Sequence, residues 1–377
     1  MVEGKGAHVE RKRLAFVGYA LGLGGAERDL SKNASSWVAE GHDVSLFIFT
    51  DPEEKPFYPI DPSIHVHSLK ASISCFSLIQ HSSFARWFLY LITLRQALKK
   101  LRPHAIIAYV DLTNIITLVA SRGLGIPVIV AERTDPFSYK VGFFFEQLRR
   151  ITYRWARKLV VQTSQAASYF SKNLQARTCV IPNGIRKPSH FCTIRQEVRS
   201  LISMGRLDPY KGFDILIESC VTLFTQNPTL RLTIYGEGPY REALEEIIHR
   251  HNLTDRIHLP GAIAQVEETL AQADMFLFPS FYEGFPNALC EAMAVGLPVI
   301  ASHCLGNAAV VREGIDGYLV PVKDVPALTQ KMAFLIENPE ERLRISKNAQ
   351  LLPKRFSEEQ AHQRWREVIT EVTSSWT

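Results

Sequence analysis

The sequence lacks the short patterns with which many enzymes build a metal centre or a triphosphate-binding loop. It contains no D-x-D, no H-E-x-x-H and no G-x-x-x-x-G-K-[ST] pattern. Such patterns supply carboxylate or imidazole ligands to a metal ion, or backbone N–H groups and a lysine to nucleotide phosphates. We therefore expect no protein-built metal site and no resident cofactor.

Cysteine pairing patterns are missing as well. No C-x-x-C spacing and no pairing pattern connects the six cysteines, which are Cys75, Cys179, Cys192, Cys220, Cys290 and Cys304. Free thiols in a reducing compartment are the simplest account, so we expect a cytoplasmic protein.

Long apolar runs are also absent. The longest largely apolar run, Trp87–Leu94, has eight residues, whereas a membrane-spanning helix needs about 20. The apolar stretch Leu14–Val17 is too short for a signal sequence and runs into a glycine loop. Neither a membrane-spanning helix nor a secretion signal is therefore expected.

Charge is present in abundance but is unevenly distributed. Residues 1–188 hold 25 Lys and Arg against 14 Asp and Glu, a balance of +11, and residues 189–377 hold 18 against 24, a balance of −6. A basic half can face nucleic acid, an anionic membrane or a pyrophosphate, although two unlike solvated surfaces explain the asymmetry equally well. No recognition motif accompanies the charge, so nucleic acid is not an expected partner.

Short apolar runs alternate with helix-length amphipathic segments along nearly the whole chain. This rhythm predicts an α/β protein with two doubly wound, Rossmann-like domains of parallel sheet. The predicted strands of the first half are Leu14–Gly18, Val44–Phe49, Ile64–Leu69, Ala105–Tyr109, Val128–Ala131, Leu159–Gln162 and Val180–Pro182. Those of the second are Leu201–Gly205, Leu230–Tyr235, Ile257–Leu259, Met275–Phe278, Val299–Ala301 and Gly317–Val320.

The rhythm restarts after a turn signal at Ile181–Ile185 and a polar stretch to Arg199. We predict an N-terminal domain over 1–188, a second domain over 189–356, and a C-terminal helix over 357–377. The helix should pack back on the first domain through one face, formed by Trp365, Val368 and Val372. Ligands of doubly wound sheets lie outside the carboxyl ends of the strands, so two facing domains would bind them in an interdomain cleft.

Glycine loops follow several predicted strands. The first, Gly22–Arg28, departs from the G-x-G-x-x-G fingerprint because position 27 is Glu, so a dinucleotide cofactor is unsupported. The loop of the second half, Gly205–Gly212, places Arg206 and Lys211 where both can converge on one diphosphate. A third loop, Tyr235–Pro239, leaves room for a base or sugar, and a plain turn explains its glycines about as well.

The most specific pattern is Phe281–Glu291, with two carboxylates eight positions apart around a turn. A buried strand precedes it, and a helix is predicted over Asn287–Val295. A helix N-terminus offers backbone N–H groups and a positive dipole end to an anion. Glu283 and Glu291 cannot bind phosphate, so each should accept hydrogen bonds from hydroxyls. The pattern therefore predicts a site for a nucleotide sugar.

Taken together, these loops resemble the GT-B glycosyltransferases, and within them family 4, whose members are retaining. The resemblance extends from about residue 14 to 372. It rests on Gly-Gly-Ala-Glu after the first strand, Gly-Arg-Leu-Asp-Pro-Tyr-Lys-Gly-Phe-Asp, Tyr-Gly-Glu-Gly-Pro, and Glu-Gly-Phe-Pro-Asn-Ala-Leu-Cys-Glu-Ala-Met-Ala. A further stretch, Ala131–Pro136, is similar to members that transfer galactose or N-acetylhexosamine to lipid-linked glycans.

The resemblance implies a role for each matching residue. Arg206 and Lys211 would hold the donor diphosphate, Glu291 the ribose hydroxyls, and Glu283 the hydroxyls of the donor sugar near C3 and C4. Gly24 and Gly25, followed by Glu27, would close over the reacting centre from the first domain. The donor would also contact Gly236 and the turn and helix start formed by Gly284, Phe285, Pro286, Asn287, Ala288 and Leu289.

One departure from the family concerns a histidine that many members carry at the end of a first-domain strand, where it contacts the C6 hydroxyl of the sugar. This sequence has Glu132 and Arg133 in the corresponding neighbourhood. The role of the histidine therefore does not carry over, and the sugar remains open.

The chemistry implied is retaining transfer without a metal. Departure of a nucleoside diphosphate develops negative charge, which cations and helix N–H groups stabilise. We expect attack on the same face, with the leaving phosphate taking the proton of the acceptor. The carboxylate-pair mechanism of glycosidases is the competing idea, but Glu283 and Glu291 are expected on different parts of the donor.

The basic half supplies the expectation about the acceptor. A helical wheel places Arg149, Arg150, Arg154, Arg157 and Lys158 opposite Phe144, Leu148, Ile151, Trp155 and Leu159. The segment Arg86–Arg102 is similarly two-faced. Such helices can lie on an anionic membrane, although packing of the apolar faces on a sheet explains the periodicity equally well.

These features favour a peripheral enzyme on the cytoplasmic membrane face, moving N-acetylhexosamine or galactose from a UDP-sugar to a lipid-linked saccharide in surface glycan synthesis. Transfer from GDP-mannose, a nucleotide-sugar epimerase and a phosphorylase remain alternatives on the same scaffold. An NAD-dependent oxidoreductase and a catalytically silent binding subunit belong to other classes. Because the donor site would lie on the second domain and the acceptor site on the first, we also expect the domains to close on donor binding.

Overall fold

The structure, a computed structural model, describes residues 11–22, 24–50, 56–70 and 83–374. Cys75, Leu23 of the first glycine loop and residues 375–377 of the predicted C-terminal helix lie outside these ranges. The chain divides into two compact units, the first formed by Met1–Ile181 with His362–Thr377 and the second by Pro182–Ala361. The predicted boundaries, after residues 188 and 356, lie a few residues from these divisions.

A seven-stranded parallel sheet forms the centre of the first unit, in the order β3-β2-β1-β4-β5-β6-β7. Its inner strands are apolar on both faces, as is typical of a sheet covered by helices on both sides. The strands are β1 (Arg13–Gly18), β2 (Asp43–Ile48), β3 (His65–Ser68), β4 (Ala105–Tyr109), β5 (Val128–Ala131), β6 (Lys158–Val161) and β7 (Thr178–Val180).

A six-stranded parallel sheet forms the centre of the second unit, in the order β10-β9-β8-β11-β12-β13. The strands are β8 (Ser200–Met204), β9 (Arg231–Tyr235), β10 (Ile257–Gly261), β11 (Met275–Phe278), β12 (Val299–Ser302) and β13 (Tyr318–Val320). Each of the thirteen predicted strands overlaps an observed one, and the predicted α/β architecture of two Rossmann-like units is confirmed.

The helices follow the strands in the β-α-β order that parallel pairing requires. In the first unit they are α1 (Gly25–Ala39), α2 (Ser83–Leu101), α3 (Asp111–Ser121), α4 (Phe143–Thr152), α5 (Ser164–Ser168) and α6 (Lys172–Gln175). In the second they are α7 (Phe213–Gln226), α8 (Arg241–Arg250), α9 (Val266–Gln272), α10 (Asn287–Ala294), α11 (Leu305–Val310), α12 (Val325–Glu337), α13 (Pro339–Ala349) and α14 (Leu352–Arg355). Within the described ranges, none of the helices combines the length and apolar character needed to cross a bilayer.

The last helix, α15 (Glu358–Ser374), begins in the second unit, and its greater part belongs to the first. The predicted apolar face is buried there, with Trp365 at 3% exposure and Val372 at 0%. The ring of Trp365 stacks on that of Tyr109 at the end of β4, at a centroid distance of 6.3 Å. Helix α15 is therefore part of the core that surrounds the first sheet.

The prediction of one basic helical face is wrong at Arg149 and in the length of the helix, whereas Arg150, Arg154 and Arg157 are exposed as predicted. Helix α4 ends at Thr152, and β6 begins at Lys158, so the predicted helix does not extend to its last two cations. The Arg149 side chain is buried, because the carboxylate of Glu146 holds it at 2.8 Å. Phe144, on the predicted apolar face, is instead 63% exposed. A helical wheel sorts residues by hydropathy alone. It therefore cannot predict an ion pair, such as that of Arg149 with Glu146, that allows a cation to be buried.

Candidate donor site and family

The two sheets each contain one topological switch point. In the second unit, the chain builds β8, β9 and β10 outward on one side, and then adds β11 on the other side of β8. Crevices outside the carboxyl ends of two such strands are the usual ligand sites of open α/β sheets. The segments that follow β8 and β11 contain Lys211 and Glu283.

The structure brings Lys211 and Glu283 together, although they are 72 positions apart in the chain. Lys211 Nζ donates to Glu283 Oε1 at 2.6 Å, and the two side chains are only 13% and 11% exposed. The Lys211 ammonium also lies 5.3 Å from the ring centroid of Tyr210 and 5.5 Å from that of Phe278. A largely desolvated cation that is paired with a hydroxyl-accepting carboxylate can serve a phosphate and a sugar at once.

Arg206 has a different environment. Its side chain is 60% exposed, and Nε binds Asp208 Oδ2 at 2.7 Å. In this structure it is therefore held within its own loop and does not share the Lys211–Glu283 contact. An exposed arginine paired with one neighbouring carboxylate can rotate toward an incoming diphosphate at small cost, because exposed ion pairs contribute little free energy.

Two glycines of these loops are required by close approach of the backbone. Gly212 has φ +68° and precedes α7, and a Cβ at this position would overlap the carbonyl oxygen of Pro279 at the end of β11. At Gly236 a Cβ would overlap the carbonyl oxygen of Gly205. The loops after β8, β9 and β11 thus touch through bare backbone, which fixes the positions of Arg206 and Lys211.

The loop and helix after β11 contain most of the other predicted donor contacts. Helix α10 begins at Asn287, one residue after Pro286, and ends one residue before the predicted end. Phe285 and Leu289 are buried, whereas Gly284, Ala288 and Glu291 are half-buried. The side-chain amide of Asn183 donates to Asn287 Oδ1 at 2.9 Å and holds the helix start. The first-turn N–H groups of α10 and Glu291 are thereby placed on a fixed element.

Sequence reasoning missed the segment that supports Glu283 from behind. Helix α11 follows β12, and a Cβ at its Gly306 would come within 2.5 Å of the Glu283 carbonyl oxygen. The buried side chain of Asn307 donates to the Ser302 carbonyl at 2.9 Å, and Ser302 donates to the Ser280 carbonyl. The available signal was a glycine four positions after a buried strand, similar to the pattern in the other loops.

The predicted loop of the first unit is closed by one of its own residues. Gly24 precedes α1, and a Cβ there would overlap the carboxylate of Glu27. Glu27 lies in the first turn of α1, where a negative charge is favoured by the helix dipole. An anion reaching Gly24 and Gly25 would therefore have to displace this carboxylate.

Arg133 lies in the core of the first unit. Its guanidinium binds Asp29 Oδ2 at 2.8 Å, and it lies 5.0 Å from the ring centroid of Tyr109 and 5.5 Å from that of Trp365. A buried cation between two aromatic rings and a carboxylate joins β4, α1 and α15. These contacts describe a residue that stabilises the unit, and the structure does not place it at an open surface.

Glu132 is also buried, at 2% exposure. Its Oε1 accepts from Thr134 at 2.9 Å and its Oε2 from Tyr153 at 2.8 Å, with Arg149 3.8 Å away. Burial, and next the charge of Asp111, raises the pKa of Glu132 to about 7. Both carboxylate oxygens are thus engaged, which favours a positioning role over direct contact with a sugar.

Sequence reasoning also missed Val110 and Asp111, which follow β4 at the switch point of the first sheet. Val110 has φ +71°, a strained value for a β-branched residue. Asp111 is buried, its Oδ1 accepts from the N–H of Leu112 at 2.7 Å, and burial raises its pKa. Nothing in a linear sequence signals a positive φ at a valine.

Among the residues that the structure describes, no group of three or more His, Cys, Asp or Glu could hold a metal ion. The second unit combines a doubly wound sheet with a lysine–glutamate pair and a helix start at its switch point, and the first unit is built on a sheet of the same kind. Fold and site together define a glycosyltransferase of the GT-B class.

Comparisons with known proteins identify the family. The model of Glycosyl transferases group 1 matches residues 191–352, and the Glycosyl transferase 4-like domain matches residues 24–184. Between them they cover most of the chain, which belongs to the family 4 glycosyltransferases. The predicted family and fold are both confirmed.

Among relatives, the GalNAc-α-(1→4)-GalNAc-α-(1→3)-diNAcBac-PP-undecaprenol α-1,4-N-acetyl-D-galactosaminyltransferase of Campylobacter jejuni is 26% identical over 370 residues, covering 96% of this chain and 99% of its own. A putative colanic acid biosynthesis glycosyltransferase, WcaL of Salmonella typhimurium, is 39% identical over 141 residues, 35% of each chain. The chain is a glycosyltransferase with relatives in polysaccharide biosynthesis.

Solved structures show the same fold. Sucrose-phosphate synthase from Thermosynechococcus elongatus superposes with a TM-score of 0.83 at 20% identity, covering 97% of this chain and all of that one. HepE of Anabaena, in complex with UDP and glucose, superposes with a TM-score of 0.78 at 20% identity, covering 96% of this chain and all of that one.

Proposed function

We propose that the protein transfers a sugar from a UDP-sugar to a lipid-linked saccharide, with retention of anomeric configuration and without a metal ion. The observation that carries this proposal is the Lys211–Glu283 pair at the switch point of the second sheet. N-acetylhexosamine is the favoured sugar, since the Campylobacter relative is an N-acetylgalactosaminyltransferase that acts on an undecaprenol-linked glycan.

In this proposal the donor lies along the carboxyl ends of β8 and β11. Glu291, on α10, accepts the ribose hydroxyls, and Glu283 accepts those of the transferred sugar. Lys211 binds the diphosphate between them, and Arg206 turns from Asp208 to bind it as well. The 2.6 Å contact of Lys211 with Glu283 holds both groups in place before the donor arrives. Such preorganised charges stabilise the transition state without reorganisation.

The reaction then breaks the bond between the anomeric carbon and the UDP oxygen. The departing diphosphate develops negative charge, which Lys211, Arg206 and the first-turn N–H groups of α10 stabilise. The acceptor hydroxyl attacks the face that the phosphate leaves, and its proton passes to a phosphate oxygen of UDP. Both electrons of the broken bond stay on UDP, and retention follows because both events occur on one face.

The lipid-linked acceptor would bring the reaction to a membrane surface. The basic first half, with its balance of +11, is the part of the chain suited to an anionic leaflet. We propose peripheral association with the cytoplasmic face of that membrane.

The site assignment is tested by measuring UDP release with a panel of UDP-sugars and GDP-mannose, and lipid-pyrophosphate saccharides as acceptors. Lys211→Ala and Glu283→Gln should each lower the rate by about 100-fold or more, because the first removes a cation that stabilises the departing diphosphate and the second weakens the acceptor of the sugar hydroxyls. Chelation of divalent ions should leave the rate unchanged. Proton NMR of the product should show the anomeric configuration of the donor.

Three outcomes would contradict parts of the proposal. Activity that survives both substitutions would remove Lys211 and Glu283 from the site. Conversion of the UDP-sugar without an acceptor, beyond slow hydrolysis, would indicate an epimerase. A product of inverted configuration would exclude same-face attack. Glu245→Gln is a suitable control, since this exposed carboxylate on α8 pairs with Arg241 outside the proposed site.

A further inference from the structure

A surface of aromatic and cationic side chains follows β5 in the first unit. We define the aromatic tip as Phe137, Tyr139, Phe143 and Phe144, which are 43%, 36%, 83% and 63% exposed. They lie on the loop after Asp135 and on the first turn of α4. Large apolar side chains that are contiguous in the chain and open to solvent mark a contact surface, whereas scattered ones need no explanation.

The exposed charges of the same segment all have one sign. Lys140, Arg150, Arg154 and Arg157 are exposed. The one carboxylate between Phe137 and Arg157, that of Glu146, is half-buried and bound to Arg149 Nη2 at 2.8 Å. The surface therefore offers apolar area and positive charge, and its only acid is neutralised by a buried arginine.

The aromatic and cationic side chains lie at different positions along the axis of α4. Phe143 and Phe144 occupy the first turn, and Arg150 lies about two turns further on, roughly 10 Å along the axis at 1.5 Å per residue. Aromatic side chains insert about 5–10 Å into the boundary between headgroups and acyl chains, with cations at the level of the phosphates. The order of groups along α4 matches that arrangement.

We propose that the aromatic tip inserts into the headgroup region of an anionic membrane while Arg150 and Arg154 bind lipid phosphates. The proposal rests on the proposed function, to which it adds the contact residues and the mode of attachment. A lipid surface fits better than a protein groove, because the exposed charges are all positive and the aromatic side chains lie together at and just before the N-terminus of α4. The tip follows the carboxyl end of β5, the sheet edge at which a lipid-linked acceptor is expected.

Vesicle sedimentation with the full chain tests the insertion. Phe143→Ser with Phe144→Ser should lower partitioning about tenfold or more on vesicles of phosphatidylglycerol and phosphatidylethanolamine, at low and at high salt. Arg150→Gln with Arg154→Gln should lower it only on these anionic vesicles, and only at low salt, because counterions screen the phosphate contact. Phe191→Ser, an exposed aromatic of the second unit at 47% exposure, should partition like the wild type.

A second measurement reports depth directly. Phe143→Trp should show a blue-shifted emission on addition of the same vesicles, and brominated acyl chains should quench it. Unchanged partitioning of the double-serine variant, or an unshifted emission, would overturn the proposal. So would a wild-type dimer that becomes a monomer in the double-serine variant, since a second copy would then cover the tip.

The two proposals fail separately. UDP release from the donor in the absence of acceptor and vesicles reports the site at Lys211 and Glu283, and the double-serine variant should match the wild type there. Vesicle binding without any sugar transfer would leave the membrane contact standing and remove the proposed function. Transfer to the lipid-linked acceptor without vesicle binding would support the proposed function and overturn the membrane contact.

Discussion

At the scale of single residues, the protein contains two kinds of buried charge. Lys211 and Glu283 form a pair of opposite charges whose free energy depends on mutual contact. Glu132 lies 3.8 Å from Arg149. Its burial, and next the negative charge of Asp111, nevertheless raise its pKa to about 7. The first pair is suited to receive a charged ligand, whereas the second carboxyl affects the stability of the first unit.

The Glu132 carboxyl should make stability depend on pH. The folded protein retains this proton up to about pH 7, whereas the unfolded chain loses it near 4.5. Stability from this group is complete below about pH 4.5 and is lost as pH rises to about 7, because the charged form is disfavoured in the core. From about pH 5 to 8, the wild type should lose on the order of 1–3 kcal/mol relative to Glu132→Gln.

Urea unfolding of both proteins across that range measures the difference. The two curves should converge or cross as pH rises, since glutamine carries no proton to lose. A difference that stays constant would mean that Glu132 titrates alike in the folded and unfolded chain.

At the scale of elements, the candidate donor site depends on loops that touch through bare backbone. The αL conformation of Gly212 ends the turn that carries Lys211 and begins α7, and it lies against the carbonyl of Pro279. Because β8 and β11 are neighbours in the sheet, this contact sets the distance between Lys211 and Glu283. A side chain at position 212 would force the two strand ends apart.

Gly212→Ala should therefore lower both stability and activity. We expect a loss of about 2–4 kcal/mol of unfolding free energy, since strain at positive φ adds to a steric overlap that backbone cannot avoid. Gly314→Ala is the matched control, because Gly314 has nearly the same φ, +66°, with open space where its Cβ would lie. It should cost about 1 kcal/mol.

Chemical denaturation and UDP release of both variants make the comparison. Equal losses at the two positions would show that φ alone, and not the contact with Pro279, accounts for the glycine.

At the scale of the whole molecule, chain order and compact units do not coincide. Residues 362–377 belong to the first unit although they follow the second. Within the first unit, Trp365 covers Tyr109 and the buried Arg133. The stability of the first sheet therefore depends on residues that follow the second unit in the chain.

Trp365→Ala should consequently destabilise the first unit and spare the second. Removing a Trp that is 3% exposed costs about 3–5 kcal/mol. Hydrogen exchange should show lost protection in β1 and β4, with β8 and β11 unchanged. Phe334→Ala, at a position that is 38% exposed in the second unit, provides the control. Loss of protection in both sheets would contradict the assignment of the last helix to the first unit.

Much of this architecture could be predicted, and the limits of prediction were specific. Every predicted strand was found, because buried parallel strands are apolar on both faces and stand out between helices. The sequence indicated that the loops after β8 and β11 bind the same donor. It did not indicate that Lys211 and Glu283 of these loops contact each other. Arg149 was placed on the wrong face, since a helical wheel takes no account of its ion pair with Glu146. Val110 gave no signal that distinguishes it from an ordinary loop residue, and Gly306 gave only that of a glycine after a buried strand.

The sequence by itself determined the order of strands and helices, the two-sheet class and the glycosyltransferase family, because these follow from local periodicity and contiguous motifs. Only the tertiary structure decided that Lys211 binds Glu283, that Arg133 and Glu132 are buried, and that Phe143 faces solvent. Those outcomes depend on which distant strands become neighbours and which charges find partners in the core. Hydropathy along the chain records neither.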